Sequence, residues 1–254
     1  MVRSVERIER DIAALEEAVG ALSVEIRSAY ESYLTALGQA LRQQLILASY
    51  HLCTQGHPDN FLGLSFTQRQ KLQQAIRKLG QRASDQLIAH FQVGSDAPLE
   101  ASTPQIHNPK ELGQWQQKLE QAIANTLKTL SREANHLLQQ TGITPNTLPS
   151  PLLEAAANSS EASHEVIAGP PNLLNLLVDQ SDEESQDSSA THIVAIHLRL
   201  SEVEFADATL RAKRNQIRTL EVRTSSLERE YNKKQRERAV AEAEAAWRAS
   251  WFEE

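Results

Sequence analysis

The residues best suited to chemistry stand near the end of the first long apolar pattern. His51, Cys53, His57 and Asp59 bring imidazole, thiol and carboxylate groups into one short stretch. Imidazole and thiolate are good zinc ligands, and the order His-x-Cys-x3-His could direct three of them at one ion. The spacing matches no common zinc pattern. Histidines close to a helix C-terminus, where the helix dipole favours positive charge, beside a buried thiol account for the same residues. That plainer account is preferred. A metal-dependent activity at His51/Cys53/His57 stands as an alternative.

A second chemical feature lies between Arg211 and Arg238, where ten Lys/Arg face four Glu. Such a stripe could bind phosphates of nucleic acid or lipid headgroups, with steep salt dependence. Tyr231 is the only aromatic in it, too few for a base-stacking platform. A solvated or partner-facing helix side is the preferred reading. Two further stretches carry apolar groups where a partner could use them. Trp247, Trp251 and Phe252 stand just before Glu253 and Glu254, and tryptophans four apart share a helix face, where packing on the protein's own bundle is as favoured as docking on a partner. Leu173, Leu176 and Leu177 sit in an apolar island within an acidic segment, resembling a short docking helix that begins at Asn172, and docking within its own chain is at least as favoured as docking on a partner. There is no Gly-rich phosphate loop, nucleophile elbow, HExxH or paired CxxC. No catalytic set and no cofactor is expected, and the chain is read as non-enzymatic.

The elements that position these residues are long helices. Apolar residues at alternating gaps of three and four run Val5, Ile8, Ile12, Leu15, Val19, Leu22, Ile26, Ala29. After Ile26 the gaps become four at Tyr30 and Leu34, a stutter that unwinds a left-handed supercoil locally. Gly56-His57-Pro58 ends the pattern, predicting a helix of about 50 residues and roughly 75 Å. A short loop follows at 59–64, then a helix from a Ser65/Gln68 capping box to about Gln92. Asn108, Pro109 and Glu111 announce the next helix, which ends at Gly142. Its expected stripe is Leu112, Trp115, Leu119, Ile123, Leu130, Ala134 and Leu137. Between Ile143 and Thr191 there is no Lys or Arg, and five prolines and an acidic run predict a disordered linker. Val194, Ile196, Leu198 and Leu200 alternate with His197 and Arg199, a strand period, while Ile196, Leu200 and Val203 also suit a helix; a short extended piece near 193–200 leading into a helix is preferred. A second seam then runs Val203, Leu210, Ile217, Leu220 and Leu227, with Ala206 included. Ser201 with Glu204, or Asp207, would cap its helix.

The first seam lacks a cover. Residues 3–31 carry four Arg against seven Asp/Glu, so they are acidic where 211–238 is basic. Opposite flanking charges select this pairing over either like pairing. The expectation is an N-terminal to C-terminal helix pair, within one chain or in a homodimer. The rest of the first helix would join the two middle helices in a three-helix bundle.

Composition agrees with a helical class. The chain has 254 residues, 5% aromatics, 9 glycines and a formal net charge of −7. The acidic balance disfavours a dedicated nucleic-acid binder. A single cysteine forbids an intrachain disulfide. No apolar run is long enough to span a bilayer and no secretory signal is visible, so a cytoplasmic protein is expected.

The run YNKKQRERAVAEAEAAWRASW at 231–251, together with LRLSEVEF at 198–205, resembles uncharacterised coiled-coil proteins of cyanobacteria. The resemblance covers the C-terminal quarter and carries no catalytic residue. It implies a bacterial cytoplasm and an assembly or membrane-facing role. The fold class expected is all-α: long antiparallel helices in a bundle with coiled-coil arms. Its parts are a bundle at 1–142, a linker at 143–191, and a helix with a docking tail at 192–254. The function expected is a scaffold or adaptor with a protein partner. Binding of an anionic surface through 211–238 is the alternative.

Overall fold

The computed structural model describes residues 2–93, 106–145, 170–179 and 190–251. The fold is an all-α helical bundle with one two-stranded antiparallel sheet. The helices are α1 (Val2–His51), α2 (Pro58–Gly63), α3 (Phe66–Val93), α4 (Pro109–Gln140), α5 (Leu200–Ala206) and α6 (Ala208–Ala249); the strands are β1 (Leu173–Asp179) and β2 (Ala190–Ile196). The chain forms two compact units. The first draws on Met1–Tyr33, His90–Gln121 and Ala212–Glu254, the second on Leu34–Ala89 and Ala122–Arg211.

Helix ends follow local chemistry. Ser65 N–H donates to Gln68 Oε1 at 2.8 Å, and Gln68 N–H donates to Ser65 Oγ at 3.3 Å, closing the expected capping box. Asn108 Oδ1 accepts from Lys110 N–H at 2.9 Å, with Pro109 as the first residue of α4. Gly142 takes φ +76°, and Ile143 N–H donates to Leu138 O while Gly142 N–H donates to Gln139 O. That is a Schellman ending, which favours glycine because a Cβ is strained at positive φ. The α1 helix loosens into one π turn over Leu52–Gly56 before His57.

In the first unit, α1 buries Ile12, Val19, Leu22, Ile26 and Ala29, while Val5, Ile8 and Leu15 are half-buried. The α6 helix runs antiparallel beside it. Glu25 meets Arg223 at 2.8 Å, Glu16 meets Tyr231 at 3.1 Å, and Asp11 meets Lys234 at 2.9 Å. The acidic and basic segments thus pair within one chain. In the second unit, α1 buries Leu34, Leu37, Leu41 and Leu45. A Cβ at Gly38 would lie 2.2 Å from Ser84 Oγ, so any larger residue there would have to push Ser84 aside where α1 and α3 approach closely.

The structure departs from the sequence reading in four places. The apolar island is strand β1, not a helix, because its backbone pairs with β2 from Leu173↔Ile196 to Asp179↔Ala190. A short apolar run is compatible with either state, and pairing with a distant segment decides it. The second seam is broken at Asp207, whose backbone is extended; α5 and α6 are separate and Ala206 is exposed. The expected loop at 59–64 is largely the short helix α2, started by Pro58 with Asp59 in its first turn. On α4, Leu138 is fully buried where Leu137 was expected. Most of the expected disordered linker, 146–169 and 180–189, lies outside the described residues, as does Phe252.

Candidate functional site

The polar centre of the first unit is built on Arg214. This side chain is only 9% exposed, although it lies within a strongly basic stripe. Its Nη1 donates to Glu120 Oε1 at 2.6 Å and its Nη2 to Glu120 Oε2 at 3.2 Å, a two-pronged ion pair. Nη2 also donates to Tyr33 Oη at 2.7 Å, and the guanidinium carbon lies 4.4 Å from the Tyr33 ring centre. Tyr30 Oη donates to the same Glu120 Oε1 at 2.8 Å and lies 3.4 Å from Glu221 Oε1. Both tyrosines are fully buried. Burial, and then the charge of Glu120, push the Tyr30 hydroxyl well above its ordinary range. Tyr30 therefore stays protonated and acts as a donor. Trp115 packs edge-on against Tyr30 at 5.6 Å, and Arg27 lies 5.2 Å from the Trp115 ring centre. Three helices meet here through charge-assisted hydrogen bonds. Such a network favours one arrangement of its helices, because a shift would leave buried charges unpaired.

Much of the expected phosphate-binding stripe is thereby engaged. Arg214 serves Glu120, Arg223 serves Glu25, Lys234 serves Asp11 and Glu237, and Arg238 serves Glu242. Hydrogen bonds to Lys234 hold the Asp11 carboxyl below its usual range. A shallow groove of about 490 Å³ lies between Asp11, Leu15, Lys233 and Lys234, with both charge signs on its rim. Arg218, Arg229, Lys233 and Arg236 remain on the exposed side of α6.

Near the far end of α6 the chemistry reverses. Trp247 and Trp251 are 67% and 66% exposed, with ring centres 5.9 Å apart. Val240 is also half exposed. The neighbouring charges neutralise one another along the helix, Arg238 with Glu242 and Arg248 with Glu244. This end therefore presents exposed indoles beside locally paired charges, with Glu253 and Glu254 following Trp251 in the sequence.

The His51–Cys53–His57 stretch is not gathered around a common point. Among the described residues no group of three or more His, Cys, Asp or Glu side chains is placed to hold a metal ion. Cys53 is buried, and burial pushes its thiol up to about 11.

In the second unit the polar centre is Asn172, only 1% exposed and the only non-glycine residue among those described with positive φ, at 61°. Its Oδ1 accepts from Arg199 N–H and its Nδ2 donates to Gln44 Oε1. Its carbonyl accepts from His197 N–H, and its own N–H donates to Glu202. Leu173 and Asn175 beyond it are half-buried and Leu174 is buried; Leu176 and Leu177 face Ile193 and His192 in the strand register.

Sequence reasoning located the tryptophans but missed Arg214 and Asn172. Arg214 carried one signal: Leu210, Arg214 and Ile217 follow the same four-then-three spacing as the buried stripe. Asn172 follows Pro170-Pro171, which marked a turn but not a buried hub. No helix among the described residues is long and apolar enough to cross a membrane. Comparison with protein-family models, curated proteins and solved structures finds no match for this chain.

Proposed function

We propose that this chain is a non-enzymatic scaffold or adaptor of the cytoplasm that binds a protein partner through the far end of α6. The observation that carries the reading is the exposed Trp247–Trp251 pair, raised on a helix whose charges cancel locally. Paired tryptophans present a large rigid apolar surface, and such residues dominate binding energy when a partner's pocket desolvates them. The Arg214 network supports the same reading, since it holds α6 in one orientation on α1 and so presents the tail rigidly. Binding of an anionic surface is the weaker reading, because carboxylates engage Arg214, Arg223, Lys234 and Arg238.

The test is affinity capture with the full chain beside a Trp247→Ala/Trp251→Ala variant, at low and moderate salt. The expected result is a protein captured by the wild type at both salt levels and lost from the variant. Identical captured sets would overturn the reading. Retention on an immobilised polyanion that collapses with salt, and is indifferent to the tryptophans, would favour the anionic-surface alternative.

A further inference from the structure

The exposed side of α6 is as ordered as its buried side. Successive residues of an α-helix turn by about 100°, so positions separated by gaps of three and four share a line along it. Arg218, Val222, Arg229, Lys233, Arg236 and Val240 fall on one such line, and steps of seven and four carry it on to Trp247 and Trp251. Each of them is exposed, and the line runs on the side away from the buried Ile217, Leu220 and Thr224. The free cations and the two indoles therefore belong to one surface.

That surface is narrow. Between Arg218 and Val240 the line carries four cations and no carboxylate, but Glu221 and Glu228 run along one side of it and Glu230 and Glu237 along the other. Among the described residues, the carboxylates facing α6 from α1 serve other cations: Glu25 takes Arg223 and Asp11 takes Lys234. A broad polyanion such as a bilayer or a duplex would meet both acidic flanks as well as the line, on a chain whose net charge is already −7. A slender acidic partner follows the line alone. Gaps of four, three, four, seven and four are also the spacing at which a second helix makes its contacts.

We propose that this line receives an acidic amphipathic helix of a protein partner, whose carboxylates meet Arg229, Lys233 and Arg236 and whose apolar residues meet Val240, Trp247 and Trp251. The inference rests on the docking role given above to the tryptophan tail and adds the chemistry of what docks. The long stems of the cations lie over apolar residues of the incoming helix while their heads reach carboxylates at its flanks. Charge also sets its placement. Glu253 and Glu254 follow Trp251 in the sequence and repel an acidic end, so the carboxylates of the partner stand toward Arg229 and its apolar end toward the tail. From Arg229 to Trp251 the line is about 33 Å long, or about six turns of partner helix. Exposed ion pairs are individually weak, so the cations select the partner and the indoles hold it.

Fluorescence anisotropy with the full chain tests this, using a labelled peptide of three Leu-Glu-Glu-Leu-Glu-Glu-Leu heptads, about 32 Å long as a helix, beside the same peptide with every Glu replaced by Gln. The acidic peptide should bind about tenfold more tightly than the neutral one at low salt, with that preference shrinking several-fold at moderate salt. Arg229→Glu/Lys233→Glu changes two exposed side chains, so it should keep the helical circular dichroism, abolish the preference and leave the affinity for the neutral peptide unchanged. Trp247→Ala/Trp251→Ala should weaken both peptides alike. An acidic peptide bound no better than the neutral one overturns the inference, and so does a preference that survives the charge reversal. Tighter binding to phosphatidylserine vesicles or to duplex DNA, removed by the same charge reversal, also overturns it, because a broad anionic surface would then be the occupant. The docking role of the tail fails separately, when the tryptophan variant captures the same proteins as the wild type, a readout that does not involve the charge reversal.

Discussion

The α6 helix buries a guanidinium toward one end and leaves two indoles in water toward the other. Arg214 is 9% exposed, while Trp247 and Trp251 are about two-thirds exposed. Hydropathy alone would place them the other way round. The difference lies in what each position meets. Arg214 finds a carboxylate, a tyrosine hydroxyl and an aromatic face, so its desolvation is offset by charge-assisted bonds. Among the described residues the tryptophans lie beyond the last cross-helix ion pair, Lys234 with Asp11, and their rings meet each other. Burial along a helix is therefore decided by the partners that face it as much as by the residues it carries.

Four measurements would break or sharpen that contrast. The largest effect is expected at Arg214→Ala, which leaves Glu120 partly buried without its cation. The loss should be roughly 3 kcal/mol by chemical denaturation. Replacing the pair together, Arg214→Met with Glu120→Leu, should recover most of it. A loss below about 1 kcal/mol for the single change would mean that the network does not hold α6. Tyr33→Phe keeps the ring and removes one acceptor of Arg214, so about 1–2 kcal/mol should be lost. That loss should shrink when Arg214 is already alanine, and a double-mutant cycle measures the coupling. Asp207 Oδ1 accepts from Thr209 and Leu210 N–H at 2.7 and 3.0 Å, so Asp207→Ala should cost about 1 kcal/mol as α6 loses its cap. The smallest effect on stability is expected at the other end: Trp247→Ala/Trp251→Ala should change it by less than about 0.5 kcal/mol. A larger drop in thermal midpoint would show that the indoles pack on their own chain.

The parts that were legible beforehand are those governed by neighbours in the chain. The Ser65/Gln68 box, the Asn108–Pro109 start and the Gly142 stop depend on residues within one turn, and each formed as its chemistry requires. The seam residues Ile12, Val19, Leu22, Leu210 and Ile217 are buried because a stripe of that width must be covered somewhere. The charge asymmetry between 3–31 and 211–238 named the right partner for the first seam, with Glu25–Arg223 and Asp11–Lys234 as its contacts. Leu173–Val178 was misread as helical because nothing within the run separates the two states. Arg214 was read only as one cation of a solvated or partner-facing stripe, because Glu120 and Tyr33 are far from it in sequence.

The amino-acid order by itself thus determined where helices start and stop, which faces need cover, and which segments attract. These depend on backbone geometry, local hydrogen bonds and net charge, all acting over a few residues or summed along a segment. Only the tertiary structure decided that 173–179 is a strand, that Asn172 sits buried at positive φ, and that Arg214 goes inside while the tryptophans stay out. Each of those outcomes turns on whether a polar group finds a partner many residues away. An unpaired buried group costs more than its local conformational preference can offset.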